Sequence, residues 1–260
     1  MMIFLICIVV IGLGTAVYSL FQTEDDTKNL NTPEQPKGSI MPIREHSSMP
    51  KTTFNCPSCG AELGFQSNLS VYAVCKYCHS MIVRHDVNVE SIGTMANLPE
   101  DMSPIQIGME GSYKANRFFI IGRMKIGWED GSWNEWFIAS TDGRRGWLAE
   151  AQGFYAISFE DENALPSSET QSIPKLGYYF ELNHKNFKVV DIKKATCIGS
   201  EGELPFSAPQ GRKTTSIDLV GSSGEFGSIE VEGDKWRIHT GNYVDWDELH
   251  CQNIRNLENW

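Results

Sequence analysis

The sequence predicts a mainly β protein: a small zinc ribbon followed by an all-β barrel or sandwich-like domain, with one N-terminal transmembrane helix and room for a short C-terminal helix. Three observations carry that expectation. Two Cys-x-x-Cys pairs, Cys56–Cys59 and Cys75–Cys78, stand fifteen residues apart; short apolar runs separated by turn residues recur after residue 105; and residues 3–21 are apolar and uncharged. The 260 residues divide accordingly into an anchor (1–22), a flexible linker (23–50), the ribbon (51–87), a second linker (88–104) and a β-rich domain (105–260).

The nineteen residues from Ile3 to Phe21 are long enough, as a helix, to cross the hydrocarbon layer. A cleaved signal peptide would show a basic leader and a shorter apolar core, and neither is present. No Lys or Arg precedes the span, and Lys28, Lys37 and Arg44 follow it, which orients the body toward the cytoplasm. The following stretch is polar, carries Pro33, Pro36, Pro42 and Pro50, and reads as an extended tether.

Cys56, Cys59, Cys75 and Cys78 have the spacing of a tetrahedral four-thiolate site, and Pro57 and Gly60 suit the sharp turn that each pair needs. Such a site is closed, so the expected Zn2+ is structural and has no open position for chemistry. The few apolar residues around it, among them Phe65, Tyr72 and Ile82, form too small a core to fold without the metal. His79, next to a complete thiolate set, reads as a surface residue. Reduced cysteines agree with a cytoplasmic body; Cys7, Cys197 and Cys251 propose no disulfide framework.

A net charge of −11 argues against nucleic acid, the usual partner of a zinc ribbon. Nor does the ribbon itself offer a basic patch: Lys51, Lys76 and Arg84 are balanced by Glu62, Asp86 and Glu90.

Beyond Pro104, strand signals such as Phe118–Ile121, Trp136–Ala139, Phe154–Ile157 and Phe187–Val190 alternate with turns at Asp130-Gly131, Asp142-Gly143 and Gly233-Asp234. Gly111-Ser112-Tyr113 ahead of Phe119-Ile120-Ile121, and Gly177-Tyr178-Tyr179 ahead of Phe187-Lys188-Val189-Val190, suggest two hairpins that each open a half-domain. The piece from Val244 to Leu257 fits one short helix capped by Asp245.

Trp128, Trp133, Trp136 and Trp147 cluster with Glu135. They read either as cross-strand packing or as an aromatic platform whose carboxylate would hold a cationic ligand such as a polyamine. No catalytic motif is present, and His250-Cys251 are neighbours only in sequence.

The ordered motifs Gly111-x-Tyr113, Phe119-Ile120-Ile121-Gly122, Trp133-Asn134-Glu135-Trp136, Gly146-Trp147-Leu148, Gly153-Phe154-Tyr155, Gly202-Glu203-Leu204-Pro205 and Gly224–Glu230 resemble the bacterial family called domain of unknown function 4178. The resemblance implies a β-rich domain in membrane-associated proteins, often behind a zinc-ribbon-like segment, with gene company among spermidine-synthase-like and membrane-stress proteins. It supplies no catalytic residue; many relatives have tyrosine where Trp136 stands. The expectation is a non-enzymatic binding or scaffold protein, tethered by a single span in the bacterial inner membrane, with a cytoplasmic body and a protein partner. The alternatives are a sensor of cationic metabolites and an enzyme with an unrecognised site.

Overall fold

Apolar residues that alternate with polar ones in short runs can bury one side only as strands, and antiparallel strands are what form. The computed structural model describes residues 52–85, 88–99, 101–161, 173–182 and 184–257. In the cysteine module, called the ribbon for its cysteine spacing alone, β1 (Thr52–Asn55) pairs with β2 (Glu62–Phe65), and β3 (Tyr72–Val74), β4 (Ser80–Arg84) and β5 (Val89–Thr94) form an antiparallel sheet. β5 lies in the stretch taken from sequence as a linker. Its apolar residues do not alternate, because the register shifts beside Ile82 and Ser91, so periodicity could not reveal it.

The second part holds β6 (Glu110–Tyr113), β7 (Asn116–Trp128), β8 (Gly131–Ser140), β9 (Arg145–Ala151) and β10 (Phe154–Glu160), then β11 (Tyr179–Leu182), β12 (Lys185–Leu204), β13 (Lys213–Gly221), β14 (Glu225–Glu232) and β15 (Lys235–Val244). β7 to β10 make one meander and β12 to β15 another. The meanders join at both ends, β10 to β15 and β7 to β12, closing a hydrogen-bonded ring of eight antiparallel strands.

The two halves repeat one another closely. Gly108 N–H donates to Ile120 C=O at 2.8 Å and Ile120 N–H to Met109 C=O at 2.9 Å; Gly177 N–H donates to Val189 C=O at 2.9 Å and Val189 N–H to Tyr178 C=O at 2.8 Å. The register shifts after Ile120 in one half and after Val189 in the other. In the first half Ile120, Trp136, Ile138, Leu148 and Ile157 form a buried cluster; Val189, Ile217, Leu219, Ile229 and Ile238 form its counterpart. The two hairpins suggested by the sequence therefore do open equivalent half-domains, but Gly177 corresponds to Gly108 and not, as the sequence match has it, to Gly111.

β12 also carries the ribbon. Past its pairing with β7 it bonds to β3, matching Glu203 with Ala73 and Leu204 with Tyr72. Tyr72 is fully buried, its hydroxyl 3.3 Å from Ser200 Oγ.

The membrane expectation requires correction. Residues 3–21 and the tether lie outside the described residues, and among the described residues no helix is long and apolar enough to cross a membrane. That finding overturns the transmembrane helix, the membrane as partner and the inner-membrane location with a cytoplasmic body. The C-terminal helix shrinks to one 3₁₀ turn, Trp246–Leu249, which His250 ends in a left-handed conformation.

Where β7 crosses β12, Gly122 faces Gly202, and a Cβ on Gly122 would collide with the Glu203 carbonyl. Gly122→Ala should therefore destabilise the protein by about 3 kcal/mol, at the upper end of overpacking costs. Urea unfolding measures it, and an unchanged midpoint would show that the crossing can relax.

Candidate metal centre and a half-buried carboxylate cluster

Each cysteine pair is built by the same backbone device. Cys56 N–H donates to Ala61 C=O and Gly60 N–H to Cys56 C=O, both at 2.8 Å; Cys75 N–H donates to Ser80 C=O and His79 N–H to Cys75 C=O, both at 2.9 Å. Gly60 and His79, the residues after the second cysteines, both have positive φ, 78° and 57°. His79 thus occupies a turn position that favours glycine.

The four sulfurs lie within 4.8 Å of one another. Cys56 Sγ is 3.7 Å from Cys78 Sγ, and Cys59 Sγ 3.8 Å from Cys75 Sγ. These separations are far too long for disulfides, whereas a tetrahedron with metal–sulfur bonds of 2.3 Å has edges of about 3.8 Å. The donor set therefore fits one tetrahedral metal ion. Cys56 and Cys75 are buried beside Leu63 and Ile82, and Cys59 is exposed. Hydrogen bonding with Ser80 brings the Cys78 thiol down to about 6, while the neighbouring Cys59, despite an Ala61 backbone hydrogen bond, is pushed up to about 12 chiefly by Cys78, so the two titrate as one coupled pair.

Glu203 fastens this module to β12. Its carboxylate is buried and accepts the Gln66 N–H at 2.8 Å and the Ser67 N–H at 3.3 Å. Burial raises its pKa, opposed by these bonds. From the other side, Arg84 donates to the Asn68 carbonyl at 2.6 Å.

Strand alternation divides the tryptophan cluster. Along β8, Asn134, Trp136 and Ile138 point to one face, and Trp133, Glu135 and Phe137 to the other. Trp136 is fully buried in the apolar cluster of the first half, its Nε1–H donating to Glu150 at 2.9 Å. Trp147 lies on the opposite face, 5.1 Å from the Phe137 ring and 5.9 Å from Phe206. Trp128 stands 5.5 Å from Lys193 Nζ. Trp133 donates to Glu135 at 3.0 Å. Trp136 is thus parted from Trp133, Glu135 and Trp147.

Sequence reasoning missed the charged groups that gather around Glu135 from the other half, because their proximity depends on ring closure. Burial, reinforced by the charge of Glu230, pushes the Glu135 carboxyl up to about 7, against the Trp133 hydrogen bond and Arg212. Burial likewise raises Asp218, against Lys193, and depresses His239 to about 4. Arg212 and Arg237 both pair with Glu230 at 2.7 Å, so Glu230 is compensated while Glu135 has no cation in hydrogen-bond contact among the described residues.

Between about pH 5 and 7 the folded chain keeps the Glu135 proton that the unfolded chain has released, so this group makes stability fall as pH rises through that window. Glu135→Gln should flatten the slope and raise stability at pH 8 by about 1–3 kcal/mol. Denaturation at pH 5 and pH 8 tests this, and equal slopes in both proteins would refute it.

Residues 106–246, more than half of the chain, match the family described as Domain of unknown function (DUF4178). No curated protein and no solved structure matches the chain. With the quoted motifs falling on the ring of strands just described, the chain belongs to the DUF4178 family.

Proposed function

We propose that this protein is a non-enzymatic binding or scaffold protein in which one structural Zn2+ staples the ribbon and the ring of strands presents interaction surfaces to a protein partner. The observation that carries the reading is the closed thiolate set on a module continuous with β12. Four sulfurs at tetrahedral spacing complete a zinc shell without a substrate position, so the metal supplies folding free energy rather than chemistry. The absence of a catalytic motif supports the non-enzymatic part, as does the way the charged groups around Arg212 satisfy one another. The separation of Trp136 from the other tryptophans is why we prefer this reading to a cationic-metabolite pocket.

Purified full-length protein should contain one zinc per chain by elemental analysis. Cys75→Ser should lose it and expose Tyr72 and Phe65 to solvent, read as loss of protection in hydrogen exchange across β1–β4. An iron–sulfur absorption spectrum, or full protection after chelation, would contradict the structural-zinc assignment.

A further inference from the structure

The duplication allows the two edge strands, β6 and β11, to be compared. β6 is covered: Glu110 N–H donates to the Gln252 carbonyl at 3.1 Å and Gln252 N–H to the Glu110 carbonyl at 2.8 Å, so the segment after β15 lies along this edge. Leu249 and Met109, both fully buried, share the cluster beneath it.

By the matching hydrogen bonds, Tyr178 is the counterpart of Met109 and Tyr179 of Glu110. Tyr178 is 52% exposed, Tyr179 63% and the preceding Leu176 66%. The bond from Val189 N–H to Tyr178 C=O makes Tyr179 and Lys188 a non-hydrogen-bonded pair, so the Tyr179 N–H and C=O face the outer edge. Among the described residues no strand pairs there. β11, Tyr-Phe-Glu-Leu, carries no proline, lysine or bulge to discourage pairing, and its one charge, the exposed Glu181, stands 3.7 Å from His184 Nδ1.

We infer that the β11 edge is a docking site for an extended acidic segment of a partner protein, which adds to it as a strand. This rests on the binding-protein reading and names its partner's chemistry. The seated segment on β6 supplies the pattern: Asp245, Asp247 and Glu248 around Trp246 and Leu249, ahead of the bridging Gln252. On the β11 side, exposed Lys175 and Lys188 stand where the first half has Gln106 and Phe119, which complements carboxylates on an otherwise acidic protein. The chain's own residues at the matching distance after β10, 164–171, read Ala-Leu-Pro-Ser-Ser-Glu-Thr-Gln. They hold a proline and have serine where Leu249 provides the anchor.

The probe is a fluorescently labelled synthetic peptide of residues 244–255 carrying Cys251→Ser, titrated by anisotropy into the full-length protein. We expect saturable binding, weakened about tenfold or more by Tyr179→Pro, which removes the outward N–H, and similarly by Lys175→Glu with Lys188→Glu. Replacing the peptide's carboxylates by amides should have the same effect. A folded, metal-replete protein that binds no peptide, or binds equally well as Tyr179→Pro, overturns the inference while leaving the scaffold reading to its zinc and hydrogen-exchange tests. Dimerisation abolished by Tyr179→Pro would give the edge to a second copy. Binding that appears only after residues 164–171 are replaced by a Gly/Ser linker would give it to the chain itself. Either result also overturns the inference.

Discussion

β12 hydrogen-bonds in turn to β11, β13, β7 and β3 along its twenty residues. Thr196 pairs with Lys213 on one edge and Gly127 on the other, so the strand is at once part of its own meander and the closure of the ring. Closing a ring between distant strands costs loop entropy before any contact repays it, and it removes edges that would otherwise pair with other chains. The crossing at Gly122 and Gly202 is what lets β12 continue past β7 to reach the ribbon. Without a backbone approach that close, the cysteine module would be joined to the rest only by its covalent connection.

Two modules of different stability are thereby coupled. The cysteine module has only a few buried side chains, while each half of the ring has its own apolar cluster. Glu203 sits at the junction, with its carboxylate on the backbone of residues 66 and 67. A buried carboxylate is tolerable there because it accepts backbone N–H groups that would otherwise be unsatisfied. The cysteine module is thus joined to the end of β12 both by this carboxylate and, one residue on, by the Leu204–Tyr72 pair.

What could be read from sequence follows the range of the interactions involved. The cysteine spacing encodes a local turn repeated twice, and the structure has that turn twice. Hairpins at Asp142-Gly143 and Asp130-Gly131 were legible because two or three residues decide them. The half-domain repeat was hinted at only by matching Gly111 with Gly177, and that match is three residues out of register, since Gly177 corresponds to Gly108; the equivalent core positions differ in identity, Trp136 against Ile217 for instance. The charged groups around Glu135 come from β12 to β15 and from Arg212 just ahead of β13, far away in sequence, and nothing local marks them. The terminal piece looked helical from Trp246, Leu249, Ile254 and Leu257, yet Gln252 bonds to β6 and draws the chain into an extended path after one turn.

The same comparison of halves shows where the duplication has diverged. In the first half Arg123, Asn134, Trp136 and Glu150 form a buried polar network: Arg123 donates to Asn134, and Asn134 and Trp136 donate to Glu150 at 3.0 and 2.9 Å. Asp101 pairs with Arg123 and with Lys125, and the Ser103 hydroxyl donates to Glu150 at 2.7 Å. By register, the second half has Ile192, Thr215, Ile217 and Val231 at the four positions. Replacing a buried charged set by apolar residues is often neutral or stabilising, so the second half needs no such network to fold. In the first half the network also takes in the segment 101–105, through Asp101 and Ser103. Mutual hydrogen bonding offsets most of the cost of burying these polar groups, while Asp101 Oδ1 accepts no hydrogen bond among the described residues and lies 3.7 Å from Arg255 Nη1.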